Sequence, residues 1–205
     1  MKQEIIDLYV VEMEQIKKRT EIVNGLLKGK INNIYALTTL ESAVLQTRMI
    51  LESIAMATLV VNKEQYSKVR STFESDWRAN RILQQIKEIN PKFYPIPIVE
   101  FLSEDPKFKR KWENKKSGFL SEDQFEEVYN TLGSWLHSQN PFGTKRDIRQ
   151  MESFVSKTIT EIMELLNSHL ISLPFEDDIF FLVHMQEQRD NGVHTYKFKK
   201  QIKSK

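Results

Sequence analysis

Apolar positions near the start of the chain recur at alternating steps of three and four residues. Between Gln3 and about Leu27 these positions are Ile6, Tyr9, Met13, Ile16, Val23 and Leu27, and polar or charged residues fill most positions between them. Residues at this spacing lie on one face of an α-helix. The pattern therefore predicts a long amphipathic first helix whose apolar stripe packs against the rest of the protein.

The segment from Thr38 to about Asn62 is apolar around almost its whole circumference. It opens with Thr38 three residues before Glu41, which is the spacing of a capping box. A helix that is apolar on nearly all sides belongs at the centre of a bundle. The charges that follow the cap are Arg48 and Glu52, one turn apart. If the helix is buried, these two side chains must pair or face a cleft, because a lone buried ion is costly.

Four more segments show helical periodicity, over about 63–73, 77–89, 122–139 and 144–172. The third of these opens with Ser121 and Gln124, again at the spacing of a capping box. Between the second and the third, prolines interrupt the stretch PKFYPIPIVEF (91–101) and favour an extended backbone. We expect this stretch and the basic residues after it to form an irregular connection of about thirty residues, a length that is often functional or mobile.

The pattern changes after Pro174. The segments IFFLVHMQEQ (179–188) and VHTYKFKKQ (193–201) flank an Asn-Gly pair, which is a hairpin signal. We therefore predict a mainly α fold: a helical bundle with a buried central helix, plus a C-terminal β-hairpin. The predicted organisation is a single domain over 1–205, with the bundle at about 1–172 and the hairpin and basic tail at about 178–205.

Composition narrows the chemistry available to the chain. Its 205 residues include no cysteine and four scattered histidines, which excludes disulfides and thiolate chemistry, and we expect no metal site. There is no glycine-rich phosphate loop, H-E-x-x-H zinc motif or G-x-S-x-G nucleophile turn, and we expect no cofactor. The N-terminus lacks a signal-peptide pattern, and no apolar run reaches the length of a membrane span. The expectation is a soluble, cytoplasmic protein without membrane contact.

Positive charge is concentrated in two segments, although the net charge is only +2. KFKRKWENKK (107–116) carries +5 and the tail KFKKQIKSK (197–205) another +5, which leaves the remaining residues at −8. Cations interleaved with aromatic rings are the composition that phosphate contact and base stacking require. The candidate nucleic-acid contacts in the first segment are Lys107, Lys109, Arg110, Lys111, Trp112, Lys115 and Lys116. A solvated loop is an equally good interpretation of these residues.

The stretch GSWLHSQNPFG (133–143) contains the histidine with the most direct functional interest. On the predicted helix, His137 lies about 140° from the buried stripe, so it is not a core residue. It is either a helix-end residue that hydrogen-bonds near Asn140 or a reactive group. Arg48 and Glu52 also allow two interpretations, a structural ion pair or part of a catalytic site.

Two groups of residues resemble motifs of the HEPN superfamily. They are Arg48 and Glu52 in LQTRMILESIA, and Leu136, His137 and Asn140 at the end of a later helix. HEPN domains are all-α and usually dimeric, and they occur among prokaryotic toxins, phage-defence proteins and RNA-processing factors. In catalytic members an Arg and a His cleave RNA without a metal, and two such sites meet across the dimer interface. The resemblance covers about residues 40–143 and implies a homodimer with His137, Arg48, Glu52 and Asn140 as candidate catalytic residues.

The chain departs from the family pattern just before the histidine. Catalytic members have four to six residues between the Arg and the His, and here those positions hold Asn130, Thr131 and Leu132. Metal-free RNA cleavage needs a base for the 2′-hydroxyl, an acid for the leaving oxygen and positive charge on the phosphate. In this chain His137 is the candidate for proton transfer and Arg48 the candidate cation.

Three classes of function remain open at this point. The first is a HEPN-like protein that engages nucleic acid, RNA before DNA, as a candidate metal-independent ribonuclease of a defence or toxin–antitoxin type. The second is a catalytically inactive HEPN-like module that binds a protein partner, such as an antitoxin, or a nucleotide. The third is a regulatory helical dimer whose basic segment is only solvated. The sequence leaves enzymatic activity open.

Overall fold

Five helices and five strands make up the computed structural model, which describes residues 2–70, 75–104, 110–173, 179–187 and 189–199. The helices are α1 (Lys2–Leu27), α2 (Ala36–Val69), α3 (Ala79–Ile89), α4 (Glu122–Trp135) and α5 (Ile148–Leu166). The strands are β1 (Ile96–Leu102), β2 (Arg110–Asn114), β3 (Ser168–Ser172), β4 (Ile179–His184) and β5 (His194–Lys199). The protein is therefore mainly α, as predicted, with a sheet that the prediction described incompletely.

Helix α2 is the central helix of the fold and contacts all four other helices. Its buried face is long, and it comprises Leu40, Ala43, Val44, Thr47, Ile50, Leu51, Ile54, Ala55, Ala57, Thr58, Val61, Asn62, Gln65 and Tyr66. Among the described residues it is the one helix long and apolar enough to cross a membrane by length and composition, and half of its most apolar window is buried inside the fold. Such burial is that of the core helix of a soluble protein.

The ends of several helices differ from the predictions. Helix α2 begins at Ala36 with Tyr35 as its N-cap, so the predicted capping box at Thr38 is wrong. The same helix continues to Val69 and includes most of the predicted separate segment at 63–73. Helix α4 ends at Trp135, four residues earlier than predicted. The capping box that opens α4 is confirmed, with the Ser121 backbone N–H donating to Gln124 Oε1 at 3.2 Å.

The predicted C-terminal β-hairpin is wrong as a description of the β structure. Strands β4 and β5 do pair, with His184 opposite His194, but they form part of a five-stranded antiparallel sheet in the order β2-β1-β3-β4-β5. Strand β1 begins within the proline-rich stretch expected to be irregular, and β2 lies within the basic segment. Strand β3 takes the last residues of the helical segment predicted at 144–172, because α5 ends at Leu166.

One face of the sheet packs on the helices through a buried histidine. His169 of β3 and Tyr9 of α1 are both almost fully buried, and the Tyr9 hydroxyl lies 2.7 Å from His169 Nε2. His169 Nδ1 lies 2.7 Å from the Leu166 carbonyl, which can only accept, so Nδ1 carries the proton and Tyr9 donates to Nε2. Burial lowers the pKa of His169 to about 4. This histidine is therefore a neutral core residue that joins the first helix to the sheet.

Candidate functional site

Helix α4 runs antiparallel to α2, and the seam between them positions the candidate site. The Tyr129 hydroxyl reaches Glu52, and Gly133 adjoins Arg48, so four residues forward on α4 correspond to four residues back on α2. Four residues rise about 6 Å along a helix. Four residues after Gly133, just beyond the end of α4, the chain reaches His137 beside the first turns of α2. His137 and these turns line one cleft.

Arg48 is held by its own helix and by α4. Its Nη1 donates to the Tyr129 carbonyl at 3.1 Å, its Nε lies 3.4 Å from Glu52 Oε1, and its Cζ lies 3.8 Å from the centroid of the Tyr129 ring. The Tyr129 hydroxyl donates to Glu52 Oε1 at 2.9 Å, and burial together with this bond raises the Tyr129 pKa. The side chains of Arg48 and Glu52 are each 21% exposed. These contacts are those of a structural ion pair with a stacked guanidinium.

The chain turns back after α4 through a loop that contains Asn140. The side-chain oxygen of Asn140 accepts from the Phe142 backbone N–H at 3.0 Å, and its carbonyl accepts from the Gly143 N–H at 3.0 Å. Both bonds close a tight turn directly after Gln139. Asn140 therefore shapes the loop, and its side-chain oxygen has a backbone partner.

Arg146 ties this loop to the end of α4 and to α2. Its Nη1 donates to the Trp135 carbonyl at 2.9 Å, and its Nη2 donates to the His137 carbonyl. The same Nη1 lies 3.8 Å from Glu41 Oε1 on α2. A helix end leaves its last carbonyls without intrahelical partners, and the guanidinium binds two carbonyls there. Arg146 thus holds the backbone that carries His137.

A cleft of about 890 Å³ lies between the first turns of α2 and the loop of residues 136–148. Its polar lining consists of Thr38, Glu41, Ser42, His137, Ser138, Gln139, Asn140, Lys145 and Arg146. Of the four candidate catalytic residues, His137 and Asn140 line this cleft, whereas Arg48 and Glu52 lie further along the seam. The structure therefore separates the candidates into two pairs.

The sequence did not predict which charged groups would line the cleft with His137. Lys145 and Arg146 follow the histidine by eight and nine residues, whereas the family pattern places its cation before the histidine. Glu41 comes from the opposite wall, and its spacing from Thr38 in the sequence predicts a role in a helix cap. An imidazole can transfer protons near neutral pH, and cations stabilise charge on phosphate oxygens. Within the described residues, no three His, Asp or Glu side chains are grouped to hold a metal.

Trp112 of the basic segment packs against aromatic residues of two other strands of the sheet. Its ring meets Phe198 of β5 with centroids 5.0 Å apart and Phe180 of β4 at 6.1 Å, both edge to face. Strands β2 and β5 are opposite edges of the sheet, and four strand spacings in a flat sheet come to about 19 Å. The contact therefore requires the sheet to curl, and Trp112 closes an aromatic cluster within the curl.

The cations of the basic segment are placed differently from one another. Arg110 pairs with Glu100 at 3.2 Å, and Lys115 pairs with Glu164 of α5. Lys111 and Lys116 are exposed. The remaining candidates, Lys107 and Lys109, lie outside the described residues, as does Phe108 between them.

Comparisons with known proteins found no match that bears on the function. No family model, curated protein or solved structure matches the chain. The function must therefore be argued from the cleft around His137.

Proposed function

We propose that this chain is a HEPN-like protein that binds RNA and cleaves it without a metal ion, in a defence or toxin–antitoxin setting in the cytoplasm. The observation that supports this function is the cleft, in which His137 shares one cavity of about 890 Å³ with Lys145, Arg146 and Glu41. A cavity of this size takes a nucleotide-sized group. Its charged lining supplies both cations and proton-transfer groups.

The proposed reaction is a phosphoryl transfer within the RNA. The 2′-oxygen attacks the adjacent phosphorus, the bond to the 5′-oxygen breaks, and a 2′,3′-cyclic phosphate and a 5′-hydroxyl result. His137 transfers a proton to or from the reacting oxygens, and Glu41 on the opposite wall is the candidate for the complementary transfer. Lys145 is exposed and supplies positive charge to the phosphate. Arg146 acts as a positioning residue through the His137 carbonyl.

Arg48 has a different place in this proposal from the one that the resemblance implies. Its guanidinium is stacked on Tyr129 and paired with Glu52. Bringing it to a phosphate in the cleft would break both contacts. The proposal therefore assigns the cationic role to Lys145, and it assigns Arg48 and Glu52 to holding α2 against α4.

The surroundings of the cleft favour a homodimer. Leu45, Leu136 and Ile148 line the cleft and are exposed, Phe142 of the cleft loop is 96% exposed, and Ile34, which lines a neighbouring pocket with Ile148, is 98% exposed. Apolar side chains grouped on a surface mark an interaction site. The HEPN resemblance implies that two clefts meet across this surface. A molar mass near 49 kDa in solution, twice the 24.3 kDa of the monomer, tests this part of the proposal.

A second candidate function is a catalytically inactive module that binds a protein partner through the same surface. The exposure of Phe142 and Ile34 favours it, since such side chains are usually covered in a complex. The two functions make different demands on His137. Cleavage needs the imidazole, whereas docking of a partner needs the apolar rim.

The test is cleavage of a mixed structured and single-stranded RNA by the purified protein with EDTA present. His137→Ala is compared in parallel, and His194→Ala, which removes an imidazole held by Asp190 outside the cleft, is the matched control. Cleavage by the parent and the control but not by His137→Ala supports the ribonuclease. Inactivity of all three folded proteins favours the binding module.

A further inference from the structure

A second group of cations surrounds Trp77, outside the His137 cleft. Arg70, Asp76, Trp77, Arg78 and Arg81 line a cavity of about 270 Å³ just before and within the first turn of α3. The Trp77 side chain is 60% exposed, and Cζ of Arg78 lies 5.2 Å from the centroid of its ring. Packing in the core does not account for a large aromatic ring at this position, because the ring is mostly exposed and lies beside a guanidinium.

The acid in this cavity is already neutralised. Asp76 accepts two bonds from the Arg70 guanidinium and one from the Tyr66 hydroxyl at 2.8 Å. The bond from Arg70 holds the pKa of Asp76 below its usual value. Within the described residues, neither Arg78 nor Arg81 forms a direct ion pair with a carboxylate, and both are exposed. Among the residues that the structure describes, the cavity therefore keeps the positive charge of two guanidinium groups.

An exposed ring with two adjacent guanidinium groups matches the chemistry of a nucleotide unit. Aromatic rings stack on bases of any sequence, and arginines bind the phosphate beside them. We propose that this cavity binds one base and one phosphate of single-stranded RNA, with the base on Trp77 and the phosphate at Arg78 and Arg81.

The position of the cavity favours a strand over a free nucleotide. Asn80, next to the cavity, donates from Nδ2 to Asn130 Oδ1 of α4 at 3.1 Å. Asn130 precedes Trp135, the last residue of α4, by five residues, a rise of about 7.5 Å along a helix, and His137 follows two residues later. A strand held at Trp77 can therefore continue along α4 to the His137 cleft. The choice of RNA as the ligand rests on the proposed function.

The test is the binding of a fluorescein-labelled, uncleavable 2′-O-methyl RNA oligonucleotide, measured by anisotropy at several salt concentrations. The variants are Trp77→Ala and the double variant Arg78→Gln/Arg81→Gln. The matched control is Lys18→Gln/Lys157→Gln, which removes the same charge from exposed positions on α1 and α5. Adenosine monophosphate competes with the oligonucleotide in a separate arm.

We expect Trp77→Ala to weaken binding about tenfold or more, from the loss of base stacking. The double arginine variant should lower the slope of log K against log salt by about 0.7, the value for one phosphate contact on a single strand. Unchanged affinity and slope in both variants, or an equal loss in the lysine control, overturns the site. Competition by adenosine monophosphate at the affinity of the oligonucleotide overturns the choice of a strand.

The cleavage assay separates this inference from the proposed function. Cleavage that needs His137, with binding that does not need Trp77, overturns the second site alone. Binding that needs Trp77, without cleavage that needs His137, supports the second site and overturns the ribonuclease.

Discussion

Gly133 of α4 leaves the space that the Arg48 guanidinium of α2 occupies. A β-carbon at residue 133 would overlap Arg48 Nη1. The absent side chain thus lets the guanidinium reach the Tyr129 carbonyl and lie on the Tyr129 ring. The contact fixes how α4 lies along α2, and hence where the chain leaves α4 toward His137.

Gly133→Ala tests this relationship in combination with Arg48→Ala. Alanine is better than glycine in a helix by about 1 kcal/mol, so without a clash the change would raise the free energy of unfolding. We expect Gly133→Ala to lower it in the parent, because Arg48 must leave Tyr129, and to raise it in an Arg48→Ala background. Urea unfolding of the four proteins measures the coupling, and additive effects would contradict the contact.

Arg146 should contribute to stability and to activity together. Arg146→Gln removes charged donors from the Trp135 and His137 carbonyls. We expect a loss of about 1–3 kcal/mol in the free energy of unfolding and slower RNA cleavage. Arg149→Gln, which removes an exposed arginine three residues later, is the control and should change neither. Full activity of Arg146→Gln would argue against its positioning role.

His169 makes the fold sensitive to acid. Its pKa is lowered by burial to about 4 in the folded protein, against about 6.5 in an unfolded chain. The unfolded chain therefore binds the proton more tightly, and the stability from the neutral imidazole is fully present above about pH 6.5 and lost by about pH 4. We expect this group to account for a loss on the order of 3 kcal/mol between pH 7 and pH 4.

Nuclear magnetic resonance of the histidine side chains isolates this effect from other titrations. The His169 ring should remain neutral at pH 5, with the proton on Nδ1 toward the Leu166 carbonyl. Tyr9→Phe, which removes the donor to Nε2, should leave that assignment of the proton intact. A His169 ring that is protonated at pH 6 would show that the buried pair is not formed.

Trp112 should matter for folding rather than for RNA. Its ring packs on Phe180 and Phe198 and closes the curled sheet, and truncation of a buried aromatic residue costs about 3–5 kcal/mol. This side chain is only partly buried. We therefore expect Trp112→Ala to lower the free energy of unfolding by an amount near the lower end of that range. Trp112→Phe should bind RNA as the parent does, and a tenfold weaker affinity in this folded variant would restore the base-stacking role.

The helices could be predicted from the sequence because their periodicity is sustained. The stripe of Ile6, Tyr9, Met13, Ile16 and Val23 is buried as expected, since seven turns of regular spacing leave one face to pack. Strands of five residues do not give such a signal. Strand β3 continues the apolar pattern of α5, and the buried His169 and Ile171 show its period of two only within the sheet.

The prolines of strand β1 prevented its prediction from the sequence. Pro95 and Pro97 flank its start, and proline cannot donate to a sheet. Pro97 nevertheless joins through its carbonyl, which accepts from the Lys115 N–H at 2.8 Å. Sequence spacing also could not predict the other residues of the site, because a turn after α4 brings Lys145 and Arg146 into the same cleft as His137.

The most direct test of the account is the rate of RNA cleavage in EDTA, with mass analysis of the product ends. We predict 2′,3′-cyclic phosphate ends from the parent and from His194→Ala. We predict a rate at least a hundredfold lower for His137→Ala, the usual loss when a general acid–base group is removed. Cleavage by His137→Ala at the parent's rate, or no cleavage by any folded protein, would contradict the assignment of His137 as the reactive group.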